Sequence, residues 1–349
     1  MRVDVIIAAH NPARPVARAA RSIVEGNPEA RTVVVCHNVG VAEIRDTFPP
    51  DLADQVTFLE LADNIPSPSG PFMHGIETST ADFVSIMGSD DFLEPGAIRA
   101  WLDLAAQHEA DAVIARVMRG DERTLVRSPA VRPWRRGYLD ILNDRLPYRS
   151  APLGIVKRDA VDRLGLRLTP GARNGGDLEF VSKLWAGGKV VYAGACPGYV
   201  EMSDASDRVT WVAKPVAEEL GTCEQLLTSK WFAKQSNKVR LSIGVKIFRR
   251  NVIDSVYKRR EQTSWERADL DSLVRISRLA LGEAGHQLLS FSELQLLRVI
   301  IAKDSARFPA VLSAAKNYRS PRSLVGPHPR SWLNAAGSLR FTVASALMR

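Results

Sequence analysis

The sequence predicts an α/β protein, with a mostly parallel sheet flanked by helices and an α-helical region after it. Three observations carry this. Over the first ~120 residues, short β-branched apolar runs alternate with segments of helical period. The joins between them are short and rich in Gly, Pro, Asp and Asn. Beyond about Thr210 the strand-like runs stop, and long stretches at helical spacing take over.

The elements follow in order. "VDVIIAA" is a buried-strand run, and "NPARPVARAARSIVEG" is a helix with Pro near its start and Gly after its end. "RTVVVCHNV" reads as a second strand, "VAEIRDTFP" as a short helix and "QVTFLELAD" as a third strand. "GPFMHGIETST" is a helix, "DFVSIMG" a fourth strand, "PGAIRAWLDLAAQHEA" a helix and "DAVIARVMRG" a fifth strand. Such β-α-β alternation implies crossover connections and a parallel sheet covered on both faces. Arg123 to Ser150 is irregular and rich in Arg, Pro and Tyr. Then come a strand "APLGIV", a helix "RDAVDRLG", a Gly-rich loop, a helix "DLEFVSKLWAGG" and a strand "KVVYAG". The helical region comprises "AEELGTCEQLLTSK", "KVRLSIGVKIFRRNVIDSVYKRR", "ADLDSLVRISRLALGEAG" and "FSELQLLRVIIAKD".

Composition narrows the class. The chain has 349 residues, 45% hydrophobic and 25% charged, which is the balance of a globular protein with a sizeable core. Cys36, Cys196 and Cys223 are odd in number and lack CxxC spacing, which argues against a disulfide framework or a zinc site and fits a reducing compartment. No stretch approaches about 20 apolar residues, so the expected location is the cytoplasm. The net charge of +8 is concentrated late: from Ser229 onward there are 22 Lys and Arg against 8 Asp and Glu. A basic segment of this kind suits an anionic partner. The flanking of Val239–Val256 apolar residues by Lys and Arg suggests an amphipathic helix able to lie on the inner face of a membrane. Nucleic acid is not expected, because the basic residues are not interleaved with stacking aromatics.

"SIMGSDDFLEP" places Ser89, Asp90 and Asp91 just past the fourth strand. Adjacent carboxylates repel, so they either stand in a solvated turn or hold a cation where open α/β sheets bind ligands. No phosphate-binding glycine fingerprint follows the first strand, which lowers the standing of a dehydrogenase or a nucleoside triphosphatase.

Three blocks in order carry a resemblance. "VDVIIAAHNP" resembles the opening strand of family 2 glycosyltransferases, "SIMGSDDFLEPGAI" their aspartate-rich segment, and "NGGDLEFVSKLWAGGKVVY" their later acidic helix segment, over roughly residues 1–210. The resemblance implies a GT-A fold in residues 1–212, with a nucleotide-binding half at 1–120 and an acceptor half at 121–212, followed by the basic helical region 213–349. It implies transfer of a sugar from a nucleotide-sugar, a UDP-sugar being favoured, to a glycan, polymer or lipid-linked acceptor with inversion. It also implies Mn²⁺ or Mg²⁺, with Asp90 as ligand and Asp91 orienting it or holding a metal-bound water. Asp177 matches the general base, and Glu179 supports it or is a solvated helix residue. Ala9, His10, Asn11, His37, Asn38, Asn64 and Ser89 fall where the family binds the donor. Arg208 and Trp134 are candidates for phosphate or acceptor contacts.

The chain departs from the family pattern at four places. Gly88 replaces the first aspartate of the metal motif, and Cys36-His37-Asn38 replaces an acidic base-reading pair. Pro71-Phe72-Met73 replaces small or polar residues, with Phe72 and Met73 expected in the core. Gly176 replaces a glutamate. These departures keep two other readings open: an inactive polymer-binding relative, and a nucleotidyltransferase. A homo-oligomer is compatible with either class.

Overall fold

The computed structural model describes residues 1–202, 214–262, 264–317 and 320–347. Two compact units divide the chain. The first comprises Met1–Val126, Arg136–Leu139 and Ser150–Arg208; the second comprises Arg127–Arg135, Asp140–Arg149 and Val209–Arg349.

The first unit holds eleven described strands: β1 (Val3–Ala9), β2 (Ala30–His37), β3 (Val56–Leu61), β4 (Phe83–Met87), β5 (Phe92–Leu93), β6 (Ala112–Ile114), β7 (Val117–Arg119), β8 (Thr124–Leu125), β9 (Gly154–Lys157), β10 (Val190–Tyr192) and β11 (Tyr199–Glu201). Seven form one sheet in the order β10-β6-β9-β4-β1-β2-β3, and four form a second in the order β5-β11-β7-β8. In the larger sheet β3, β2, β1 and β4 run parallel, as do β6 and β10, while β9 is antiparallel to β4 and β6. The mostly parallel α/β class is thus present.

The alternation of sequence signals becomes alternation of layers. Every residue of β4 and nearly every residue of β1 is buried, as expected for strands covered on both faces. Helix α1 (Val16–Val24) buries Val16, Ala19, Ala20 and Ile23, the stripe that faces the sheet. It starts later than the sequence suggested. Asn11 first makes a turn, its Oδ1 accepting from Ala13 N at 2.9 Å, and the Pro12 and Pro15 rings disfavour helix in the residues before them. Helices α2 (Val41–Arg45), α4 (Ser69–Thr78) and α5 (Ala97–His108) follow the strands as expected, and a further short helix, α3 (Pro50–Ala53), stands between α2 and β3. Trp101 of α5 is fully buried and its indole N–H donates to Pro197 O at 3.2 Å. The expected fifth strand is split: β6 joins the large sheet and β7 the small one, with Ala115-Arg116 as the crossing point. A single apolar run carries no signal for such a change of sheet. Helices α6 (Arg158–Arg163) and α7 (Leu178–Gly187) complete the unit.

The second unit is helical: α8 (Val216–Glu219), α9 (Gly221–Thr228), α10 (Lys230–Ala233), α11 (Asn237–Ile247), α12 (Ile253–Lys258), α13 (Arg267–Leu281), α14 (Phe291–Ile301), α15 (Phe308–Lys316), α16 (Pro321–Leu324), α17 (Pro329–Trp332) and α18 (Ser338–Leu347). A π-helical turn, Phe248–Val252, joins α11 to α12. The Arg-rich stretch before Ser150 also packs here. Ser242 Oγ donates to Ile141 O at 3.0 Å, Arg145 Nη2 to Arg340 O at 3.0 Å, and Tyr148 stacks on Phe341 with ring centroids 4.4 Å apart.

The segment read as a membrane-surface helix is corrected by this packing. Ser242 to Arg249 are all buried, so the helix is the centre of the unit and presents no apolar face to a bilayer. Among the described residues, no helix is long and apolar enough to cross a membrane.

Three carboxylates of this unit make its stability acid-sensitive. Burial would raise Asp140, Asp144 and Glu219, but cationic partners outweigh it and hold all three below the usual carboxylate range. Arg132 clamps Asp144 through two bonds of 2.8 and 2.7 Å, Lys258 and Arg259 hold Glu219 at 2.7 and 2.6 Å, and Lys238 pairs with Asp140. A folded pKa below the unfolded one gives stability that is present above about pH 4 and lost as the pH falls through the depressed values. Thermal unfolding temperature should therefore drop steeply in acid, and Asp144→Asn should be less stable at neutral pH and lose less on acidification. An unchanged acid slope in that variant would remove Asp144 from the account.

Candidate active site

The parallel strands end together. Ala9 pairs with Cys36, Cys36 with Glu60, His37 with Leu61 and Ile7 with Met87, so the residues after β1, β2, β3 and β4 leave the sheet at one carboxyl edge. Open α/β sheets bind ligands at such an edge. His10 and Asn11, His37 and Asn38, Asp63 and Asn64, and Gly88 to Asp91 are all brought there.

The Gly88–Asp91 turn is closed by Asp91 N donating to Gly88 O at 3.2 Å. Its two carboxylates differ. Asp91 is buried, and both its oxygens are taken: Tyr199 OH donates to Oδ2 at 2.5 Å, and Met202 N donates to Oδ1 at 2.8 Å. Tyr199 OH also accepts from Gly88 N at 3.0 Å, so one phenol locks both ends of the turn. Burial pushes the Asp91 carboxyl up to about 6, the two hydrogen bonds opposing it. Burial also holds the Tyr199 phenol well above its usual range. Asp91 thus serves as an anchor of the turn.

Asp90 has basic neighbours. Arg14 Nη1 lies 3.6 Å from Asp90 Oδ1 and donates to Ser89 Oγ at 3.2 Å, while Arg18 donates to the Asp90 backbone carbonyl. Arg14 stands in the turn before α1 and Arg18 in its first turn, so the β1–α1 segment aims both at the end of β4. Among the described residues, no group of three His, Cys, Asp or Glu could hold a metal. A hard oxygen donor such as Asp90 fits Mg²⁺ or Mn²⁺ when a ligand's phosphates and water supply the other positions.

Gly88 has a steric cause. A Cβ placed there would run into Asp91 Oδ2 and stand 3.2 Å from Asp90 Oδ1. The space of the family's first aspartate is filled by the carboxylate of Asp91. Restoring the family residue as Gly88→Asp should therefore destabilise the protein by about 1–3 kcal/mol and not improve nucleotide binding. Chemical denaturation of that variant checks this; wild-type stability would mean that Asp91 swings away easily.

The second cluster lies at the ends of β2 and β3. His37 Nε2 is 2.8 Å from Asp63 Oδ1, and Asn38 Nδ2 is 3.1 Å from His37 Nε2. Asn38 and Asn64 both have left-handed backbones, φ 56° and 58°, a conformation asparagine tolerates. Asn64 N donates to Asn38 Oδ1 at 2.9 Å, which ties the two turns together. The Ile65 N–H, followed by His37, holds the Asp63 carboxyl below its usual range. Cys36 is fully buried, and burial pushes its thiol up to about 11, so it belongs to the core. Pro71 of α4 is buried, while Phe72 and Met73 are half-buried.

Asp177 precedes α7. Its side chain makes no capping bond to its own helix, so the ordinary structural use of an aspartate here does not apply. The loop before it is fastened to the β3–α4 connection: Ser67 Oγ donates to Ala172 O at 2.6 Å and Thr169 N to Gly176 O at 2.7 Å. A Cβ at Gly176 would overlap Ser69 Oγ, which explains glycine in place of the family's glutamate. This contact sets Asp177 beside the start of α4, next to the turn that carries Asp63 and Asn64. Glu179 pairs with Lys183 at 2.8 Å one turn along the helix, an i,i+4 pair between two half-buried side chains. Trp134 belongs to the second unit and is 70% exposed. Arg208 lies outside the described residues.

Sequence reasoning missed Arg14, Arg18, Asp63 and Tyr199. Asp63 had a usable signal, a charged residue two positions past the carboxyl end of β3, and Arg14 and Arg18 had a weaker one, an i,i+4 pair of cations in the β1–α1 segment. Tyr199 had none, since it meets Asp91 from 108 residues away.

Comparison with known proteins agrees with this geometry. Residues 4–165 match the model of the family described as Glycosyl transferase family 2. No curated protein sequence matches the chain. Its fold is similar to that of Staphylococcus aureus TarS 1-349 in complex with UDP-GlcNAc, with a TM-score of 0.74 at 13% identity over 90% of this chain and 92% of that one. The same TarS segment in complex with UDP gives a TM-score of 0.67 at 14% identity, over 90% and 91% of the two chains. A longer TarS structure gives 0.68 at 14% identity, and there the match spans 55% of the TarS chain. The first unit has the GT-A fold, and residues 4–165 match glycosyl transferase family 2.

Proposed function

We propose that the protein transfers a sugar from a UDP-sugar to a hydroxyl of a cell-surface glycan or polymer, with inversion at the anomeric carbon. The observation that carries this reading is the convergence of Asp90, the His37–Asp63 pair and Asp177 around one carboxyl sheet edge, in a chain whose first half matches a glycosyltransferase family. The UDP-GlcNAc and UDP complexes of the structurally similar TarS support a uridine donor and make UDP-GlcNAc the first to test.

Each group has a task in this reading. The nucleotide lies over the ends of β1 to β4, against Ala9, His10 and Asn11. Asn38, Asn64 and the His37–Asp63 pair face the base and ribose, and Asp63 supplies from β3 the carboxylate that the family usually places after β2. Asp90 is the residue that would hold Mn²⁺ or Mg²⁺ together with the donor's diphosphate, and the ion would supply stabilisation of the charge on the leaving phosphate. Arg14, Arg18 and Ser89 fix the turn that presents Asp90, and Asp91 with Tyr199 anchors it from below. Asp177 takes the proton from the acceptor hydroxyl as that oxygen attacks the face of the sugar opposite the diphosphate.

Thermal shift with UDP and UDP-GlcNAc, with and without Mn²⁺, tests the donor half. Ligand at 100 times its Kd adds about 2.7 kcal/mol of stability. The expected result is a Mn²⁺-dependent shift in wild type that Asp90→Ala abolishes. A shift of equal size in Asp90→Ala would remove Asp90 from the cation site, and no shift with any nucleoside diphosphate would overturn the donor assignment.

A further inference from the structure

The second unit contains a groove of about 610 Å³ whose lining includes Arg298, Arg307, Arg322, Asp304, Phe291 and Pro327. Three arginines face it against one aspartate. Other cations of this unit, among them Arg249, Arg259, Arg275 and Lys316, are held by Glu293, Glu219, Glu224 and Asp254. Among the described residues, Arg298, Arg307 and Arg322 have no carboxylate partner. Unpaired charges of one sign around a concave surface focus their potential into it.

The walls are fixed. Ser323 Oγ donates to Ser292 Oγ at 3.1 Å and to Ala314 O at 2.7 Å, which pins α16 against α14 and α15. Phe291 N donates to Val325 O at 2.9 Å and the Trp332 indole to Gly326 O at 2.8 Å. Phe291 is 40% exposed at the groove.

We propose that this groove binds a phosphate-bearing polyhydroxylated chain, an anionic polymer rather than a small metabolite. Guanidinium forks match phosphate oxygens two at a time. The Phe291 ring and the Pro327 face suit the C–H surface of a sugar or polyol, and Asp304 can accept its hydroxyl protons. The volume suits about one repeating unit of such a chain. A recessed groove favours a threaded polymer over a bilayer, whose headgroups stand in a plane. The site stands apart from the sugar-transfer reading, and its test reads binding alone.

The experiment uses the full chain with fluorescein-labelled inorganic polyphosphate, and pelleting with vesicles of equal parts phosphatidylglycerol and phosphatidylcholine. The variants are R298Q/R307Q/R322Q in the groove, R298K/R307K/R322K to keep charge without the forks, and K230Q/K234Q/R267Q as a charge-matched control elsewhere on the unit. Polyphosphate binding should weaken by about tenfold or more in the groove Gln variant, less in the Lys variant, and under about twofold in the control. Asp90→Ala should bind polyphosphate like wild type. Equal losses in groove and control variants, or no polyphosphate binding at all, would overturn the proposal. Groove-dependent pelleting with vesicles and no groove-dependent polyphosphate binding would overturn it in favour of a lipid headgroup.

Discussion

Asp177→Asn should lower sugar-transfer turnover by about 10²–10⁴-fold while leaving nucleotide binding within about twofold of wild type. Asparagine keeps the shape of the side chain and loses its negative charge and its ability to take a proton. The helix start should survive, because Asp177 makes no capping bond to lose. The loop before it is held by Ser67, Thr169 and the Ser69–Gly176 contact, none of which involves the Asp177 carboxylate. A loss confined to turnover would therefore report chemistry and not folding. Glu179→Gln is the matched control: it breaks a half-buried i,i+4 pair with Lys183, an interaction of small energetic weight, and should change turnover by less than about threefold. Steady-state kinetics of the two variants, beside a UDP thermal shift, separate the roles. Turnover of Asp177→Asn within about threefold of wild type would sink the base assignment.

How legible the site was follows from how local its causes are. The order of strands and helices in the first ~110 residues was readable because each element carries its own periodicity and its own stop signal. The carboxyl-edge positions of His37, Asn38, Asn64 and Asp90 followed from that order alone. The roles of Asp90 and Asp91 did not separate in the sequence, where they are two identical letters. Only Tyr199 and the Met202 N–H, arriving from a distant strand, turn one into an anchor. Gly88 and Gly176 looked like losses from the family pattern, and in the fold a Cβ at either position would press on a neighbouring side-chain end, Asp91 Oδ2 or Ser69 Oγ. The split of "DAVIARVMRG" between two sheets was invisible for the same reason: pairing partners lie far away in sequence. The basic helix read as a membrane surface is instead buried from Ser242 to Arg249, and Arg249, Lys258 and Arg259 meet acids on other helices.

Arg249 shows what that inward draw is worth. It sits in the π-helical turn, 6% exposed, and holds Glu293 of α14 through Nε at 2.8 Å and Nη2 at 3.2 Å. Nη2 also donates to Leu288 O at 3.0 Å and Ser338 Oγ at 2.8 Å, and Nη1 to Ala336 O at 2.5 Å. Ser338 Oγ in turn donates to Glu293 Oε2 at 2.8 Å, and Glu293 completes the capping box of α14 with Ser290. Burial works against the guanidinium charge, and Glu293 overcomes it and holds the pKa above its usual value. One ion pair thus fastens the π-turn, α14 and the start of α18. Removing a single partner leaves the other charged, buried and uncompensated, so Arg249→Met should cost about 3–5 kcal/mol, and Glu293→Gln a similar amount. Removing both charges removes that penalty, so Arg249→Met/Glu293→Gln should be more stable than the sum of the single losses by about 1–3 kcal/mol. Calorimetric unfolding of the four proteins gives the cycle. Additive losses would mean that the pair acts through packing alone. A loss under about 1 kcal/mol in Arg249→Met would mean that water reaches Glu293 and the knot is not closed.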